Sequence, residues 1–73
     1  MSTQQDDPYI EGLFKICSLY RENKEVVREM INQGGIVVTI LSTMYSYLVA
    51  REEVDPIDDT DSKLRARYLL EVL

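Results

Sequence analysis

The feature that most constrains the fold is residues 34–50, a continuous stretch without a charged side chain. Such a stretch must be buried, either in a protein core or in a bilayer, which a helix of about 17–25 apolar residues can span. Its apolar character is diluted by hydroxyl groups, and basic residues beyond both ends give little preferred orientation. We therefore expect a buried central helix. A small membrane-associated protein with residues 34–50 in the bilayer is kept as an alternative.

The beginning of this stretch is compatible with two secondary structures. Residues 36–40 are rich in β-branched side chains, which also suit a buried strand. The later apolar residues decide in favour of a helix, because they continue at steps of three and four over three turns. We expect this helix to run from about Ile36 to Glu53 and to stop before Pro56, since a residue that precedes proline avoids the helical region.

Three further helices follow from capping signals and apolar spacing. The first is predicted to begin at Pro8 with Asp7 as its N-cap. The second is predicted to begin after Asn23 and to end at the glycine pair 34–35. The fourth is predicted to begin after Thr60 or Asp61. The sequence thus predicts an all-α fold: a small bundle or solenoid-like array of about four helices around a central apolar helix. Residues 1–7 are expected to be a polar N-terminal tail and residues 8–73 a single helical domain.

Composition and charge argue against several classes of function. Eight basic residues against thirteen acidic ones give a net charge of −5, whereas nucleic-acid binding needs a basic surface. Cys17 is the only cysteine, so no internal disulfide is expected. The polar, acidic beginning of the chain does not resemble a signal peptide. We therefore expect a cytoplasmic protein in a reducing, intracellular environment, without nucleic acid or a membrane as its partner.

The residues that usually carry catalysis or bind metals are scarce. The chain has no histidine, which removes the commonest general base and metal ligand. Cys17 lies among apolar positions of the first helix and is expected to be a buried, inert thiol. The acidic residues between Glu52 and Asp61 do not have EF-hand spacing, because Leu64 and Leu70 stand where that loop needs glycine and glutamate. We expect no enzyme, no cofactor and no metal site.

The order of the segments resembles an armadillo-type helical repeat. Residues 9–20 look like the long third helix of one repeat, and residues 23–31 are similar to the short first helix of the next. The segment Gly34-Gly35-Ile36 falls where such repeats often turn into the second helix. Residues 62–73 would then be the third helix of that repeat. The resemblance covers about one and a half repeats, and it implies a non-catalytic scaffold that binds peptides or proteins.

These observations lead to a prediction of function. We expect a protein–protein interaction module, such as a small adaptor, regulatory subunit or inhibitor, that acts through an apolar helix face. The partner is expected to be another protein or a second copy in a homo-oligomer, and an obligate homodimer with a purely structural role is an alternative. The chain has more apolar residues than four short helices cover comfortably, especially near its C-terminal end. The predicted partner-binding residues are therefore Tyr68, Leu69, Val72 and Leu73.

Overall fold

Four helices account for most of the chain in a computed structural model that describes residues 8–73. Helix α1 spans Pro8–Glu22, α2 spans Lys24–Gln33, α3 spans Ile36–Ala50 and α4 spans Ser62–Val72. The predicted all-α fold is confirmed, and residues 36–41 are helical. No strand occurs within residues 8–73. The predicted polar tail, residues 1–7, lies outside the described residues, and so does Asp7, the predicted N-cap of α1.

The turn between α2 and α3 depends on local residues at both ends of α2. The side chain of Asn23 caps α2 by accepting a hydrogen bond from the backbone N–H of Val26 at 3.4 Å. Gly34 and Gly35 follow the helix with φ values of 85° and 84° and with ψ values of −151° and −152°. Only glycine adopts this combination readily. The pair lets α3 leave at 95° to α2.

The end of α3 differs from the expectation. The helix stops at Ala50 rather than at about Glu53, before Pro56 can act. The N–H of Glu52 donates to the carbonyl of Val49, and the N–H of Glu53 donates to that of Leu48, both at 2.9 Å. With Glu52 at a φ of 62°, these bonds form a Schellman motif. A short-range cap therefore ends α3.

The core surrounds α3, which packs against α1, α2 and α4. Its inward side chains meet those of the other helices in one apolar cluster, and the prediction of a central apolar helix is confirmed. The largest fully buried side chains of this cluster are those of Val27, Ile31, Leu41 and Leu69. The outer side of α3 remains exposed, and Ile36 keeps 70% of its surface in solvent.

The acidic segment between α3 and α4 is fixed by backbone hydrogen bonds to side chains. The Tyr45 hydroxyl accepts a bond from the N–H of Ile57 at 2.9 Å, and the Tyr68 hydroxyl donates to the carbonyl of Asp55 at 2.7 Å. Asp61 then caps α4 by accepting from the N–H of Lys63 at 2.9 Å. Of the two predicted caps, Asp61 is therefore the one used.

The membrane alternative can be compared with the helix lengths. Within residues 8–73, no single helix is both long and apolar enough to cross a bilayer. Only α2 and α3 together reach the required length and composition, and their axes are bent by 95°.

Candidate functional site

An open apolar groove lies between α1 and the C-terminal end of α4. Its volume is about 300 Å³. Both helices pack on α2 and α3, and the groove is the space left between them. One charged side chain, Arg21, lies among the apolar and aromatic residues that line it: Leu13, Phe14, Cys17, Tyr20, Leu70 and Leu73.

The groove arises because the apolar face of α1 is wider than the surface that the other helices cover. Leu13 and Ile16 are buried, each with 8% of its surface exposed. Phe14 follows Leu13 by one residue and therefore points about 100° further around the helix. Its side chain is 66% exposed, beside the groove. A large aromatic side chain exposed next to an apolar depression is a common feature of binding surfaces.

A hydrogen bond joins the two helices that form the walls of the groove. The Tyr20 hydroxyl on α1 donates to Oε2 of Glu71 on α4 at 2.6 Å. Arg28 of α2 lies 3.7 Å from the same carboxylate oxygen and also pairs with Glu25. The hydrogen bond from Tyr20, helped by the nearby positive charge of Arg28, lowers the pKa of Glu71. The same bond raises the pKa of Tyr20.

Cys17 is a half-buried thiol among the residues that line the groove. Burial raises its pKa above the usual range, and the nearby Arg21 only partly opposes this effect. A thiol with a raised pKa is protonated at neutral pH, and the protonated form is a poor nucleophile and metal ligand. The groove therefore presents no thiolate of Cys17 at neutral pH.

The four residues predicted to bind a partner occupy different environments. Leu73 is 59% exposed and lines the groove, whereas Val72 is 48% exposed outside the set of lining residues. Tyr68 is half-buried, and its hydroxyl is bonded to the backbone of the α3–α4 segment. Leu69 is completely buried in the core. A side chain without exposed surface does not contact a partner while the fold is intact, so Leu69 is left out of the candidate site.

Sequence reasoning missed Phe14, the most exposed aromatic ring at the site. From spacing alone, steps of three and four residues align Phe14 with the other apolar residues of this helix, Ile10, Leu13, Cys17 and Tyr20, on one face that is expected to be packed. A signal was present, because apolar residues cover most of one side of α1 and no single packing partner covers so wide a face. A smaller depression, about 140 Å³, lies where the start of α1 meets α3. No group of three or more potential metal-binding side chains occurs within residues 8–73.

The functional interpretation is based on the geometry of the groove. The resemblance to an armadillo-type repeat stays a prediction, because four helices do not by themselves reveal a repeat. Comparison of the chain with protein-family models, with curated proteins and with solved structures gives no significant match.

Proposed function

We propose that this chain is a non-catalytic protein–protein interaction module whose binding surface is the groove between α1 and α4. The observation that carries this proposal is the position of Phe14, 66% exposed beside a groove lined by Leu13, Leu70 and Leu73. Leaving this ring in water costs free energy that a partner covering it would recover. Aromatic side chains next to desolvated pockets are also frequent binding hot spots.

The shape of the groove favours an apolar helix face as its ligand. A volume of about 300 Å³ is at the lower end of the range for binding pockets and accommodates a few large side chains. The two walls are helices, so an added helix can continue the same packing. Recognition would then use apolar anchors at steps of three and four residues, as in other helix-in-groove complexes.

Charge and chemistry support binding rather than catalysis. The chain lacks histidine, and the thiol of Cys17 has a raised pKa. Acidic residues of the α3–α4 segment serve structural roles, since Asp61 caps α4 and Asp59 accepts a hydrogen bond from the N–H of Asp61. A net charge of −5 disfavours nucleic acid as the ligand. A cytoplasmic location is part of the proposal, because a single free cysteine suits a reducing compartment.

Two matched substitutions test the proposal. Phe14→Asp places a charge at the groove, and Ile36→Asp places the same charge at an exposed apolar position on α3. Neither side chain belongs to the core, so circular dichroism should show both variants folded. Each chain is immobilised, and the proteins that it binds are identified by mass spectrometry. The wild type and the Ile36→Asp variant should bind the same proteins, whereas the Phe14→Asp variant should not bind them. Equal binding by all three chains, or no binding partner of any kind, contradicts the proposal.

A further inference from the structure

The outer face of α1 has the spacing of a helix-pairing seam. The seam is formed by four residues at steps of four, three and four: Ile10, Phe14, Cys17 and Arg21. This alternation of steps is the one between positions a and d of a coiled-coil heptad. All four keep solvent-accessible surface in the folded chain: Ile10 is 38% and Phe14 66% exposed, Cys17 is half-buried and Arg21 is exposed. Other helices cover the seam only in part, since Cys17 packs against the core and Ile10 lies beside α3, while Phe14 stays mostly in solvent.

Two residues of opposite charge lie near the two ends of this face of α1. Glu11 precedes Phe14 by one helical turn, and Arg21 follows it by two turns. Neither has an ion pair or side-chain hydrogen bond within residues 8–73, whereas Arg28 and Arg51 are both paired. In an antiparallel pair of α1 helices, Glu11 of each chain would lie level with Arg21 of the other chain, so the pair would contain two such contacts. The face is therefore complementary in charge to a second copy of itself.

The same arrangement brings the exposed aromatic rings together. The midpoint between Glu11 and Arg21 is residue 16, through which a two-fold axis would pass. Phe14 lies two residues from this midpoint, so the two Phe14 side chains would be separated by about 6 Å along the helix axes. With so small an axial offset, side chains that reach across the contact can bring their rings into the centroid range of favourable aromatic pairs. An isologous contact of this kind closes on itself and produces a dimer rather than a fibre.

Building on the proposed function, we infer that the partner of this surface is a second copy of the chain, bound through an antiparallel pairing of the two α1 helices. The exposed rings of Phe14 form the centre of the contact. The charges of Glu11 and Arg21 set its direction and register, since a parallel pairing would place like charges side by side.

Charge exchange tests the direction and register of this pairing. Glu11→Arg or Arg21→Glu alone would place like charges at both ends of the contact, so each should raise the dimer dissociation constant at least about tenfold. The double variant, Glu11→Arg with Arg21→Glu, restores opposite charges and should dimerise within about threefold of the wild type. A mixture of the two single variants should form mixed dimers, because both of its end contacts are then attractive. Sedimentation equilibrium measures each case, and circular dichroism verifies folding.

The outcomes separate this inference from the proposed function. Two results together support the inference. The wild type forms dimers that the Phe14→Asp variant does not form, and the double charge variant recovers the dimerisation that each single charge variant loses. Dimers that are insensitive to the charge exchanges overturn the antiparallel α1 pairing. A wild-type chain that stays monomeric at millimolar concentration overturns self-recognition. If that monomer nevertheless binds a different protein through Phe14, the proposed function stands and only the identity of the partner changes.

Discussion

At the residue scale, tyrosines connect parts of the chain that are distant in sequence. Tyr20 bonds to Glu71, Tyr45 to the backbone of Ile57, and Tyr68 to the backbone of Asp55. The rings of Tyr45 and Tyr68 also meet edge to face, with centroids 6.0 Å apart. An aromatic ring with a polar tip can contact apolar neighbours and still satisfy a backbone group. These residues therefore fix the loop and the end of α4, Tyr45 from within the core and the half-buried Tyr20 and Tyr68 from its edge.

Glu52 has a left-handed backbone conformation that is unfavourable for a residue with a side chain. Its φ of 62° is the left-handed region that the Schellman motif requires and that glycine adopts at lower cost. We expect Glu52→Gly to raise the free energy of unfolding by about 0.5 kcal/mol, because relief of strain exceeds the added entropy of the unfolded chain. Urea denaturation measures the change. The neighbouring substitution Glu53→Gly is the control and should lower stability, since Glu53 has no positive φ and pairs with Arg51 at 2.8 Å.

At the element scale, Gly12 is the point where α1 lies closest to the Ile40 side chain of α3. A β-carbon added at this position would lie 2.8 Å from the terminal methyl carbon, Cδ1, of Ile40. Glycine thus lets the two helices approach closely, at a cost in helix propensity of about 1 kcal/mol relative to alanine. A glycine inside α1 is compatible with close packing or with a tolerated weakness, and this contact favours close packing.

The close approach leads to a prediction about coupled substitutions. Gly12→Ala alone should change the free energy of unfolding by less than about 1 kcal/mol, because better helix propensity is offset by displacement of the Ile40 methyl group. Ile40→Val removes that methyl group. In the Ile40→Val background, Gly12→Ala should therefore stabilise the protein by up to about 1 kcal/mol. A double-mutant cycle measured by chemical denaturation checks this, and purely additive effects would show that the two residues are not in contact.

The link between α1 and α4 should make stability depend on pH. The pKa of Glu71 is lowered in the folded state, so its contribution is present above about pH 5 and is lost as pH falls through the folded pKa. The pKa of Tyr20 is raised, so its contribution is present below about pH 10 and is lost as pH rises through the folded pKa.

We therefore expect Tyr20→Phe to lower stability at pH 7 and to have a smaller effect near pH 3, because Glu71 becomes protonated as the pH falls toward its lowered folded pKa. Urea unfolding at both pH values measures the difference. Tyr47→Phe provides the control, because Tyr47 is exposed and has no carboxylate partner within residues 8–73. A destabilisation by Tyr20→Phe that is the same at both pH values would show that the loss comes from packing rather than from the carboxylate.

At the scale of the whole molecule, stability depends on a small core around α3. Twelve side chains are buried, and no buried side-chain polar atom within residues 8–73 lacks a hydrogen-bond partner. A chain of this length has little stability in reserve, since domains typically gain only about 0.05–0.15 kcal/mol per residue. The exposed seam on α1 is consequently important for the whole molecule, because its coverage by a partner would add apolar burial that the single chain lacks.

The central position of Leu41 gives a prediction at this scale. Leu41 is fully buried, and Leu41→Ala should lower the free energy of unfolding by about 2–5 kcal/mol, a large part of the total. Ile36→Ala lies on the same helix but at a position 70% exposed, and it should change stability by less than about 0.5 kcal/mol. Thermal and chemical unfolding of the two variants provide the comparison. Similar effects of the two substitutions would contradict the placement of the core.

The sequence by itself determined the four helices and most of their ends. Asn23, the glycine pair 34–35 and Asp61 act on backbone groups within one turn, so their effects can be predicted from neighbouring residues. The central position of α3 also follows from the sequence, because an uncharged segment needs cover on several sides. For the candidate site, the predicted partner-binding residues include Leu73, which lines the groove, and their role in binding stays a prediction.

Only the tertiary structure decided which apolar residues are covered. Leu69 is buried while Phe14 is exposed, although both belong to apolar helix faces. The difference depends on the angles and spacing at which whole helices pack, and these result from contacts between residues far apart in the chain. The groove, the link from Tyr20 to Glu71 and the close approach at Gly12 have the same origin. Local capping and spacing were therefore readable in the sequence, whereas the shape of the binding surface required all four helices in place.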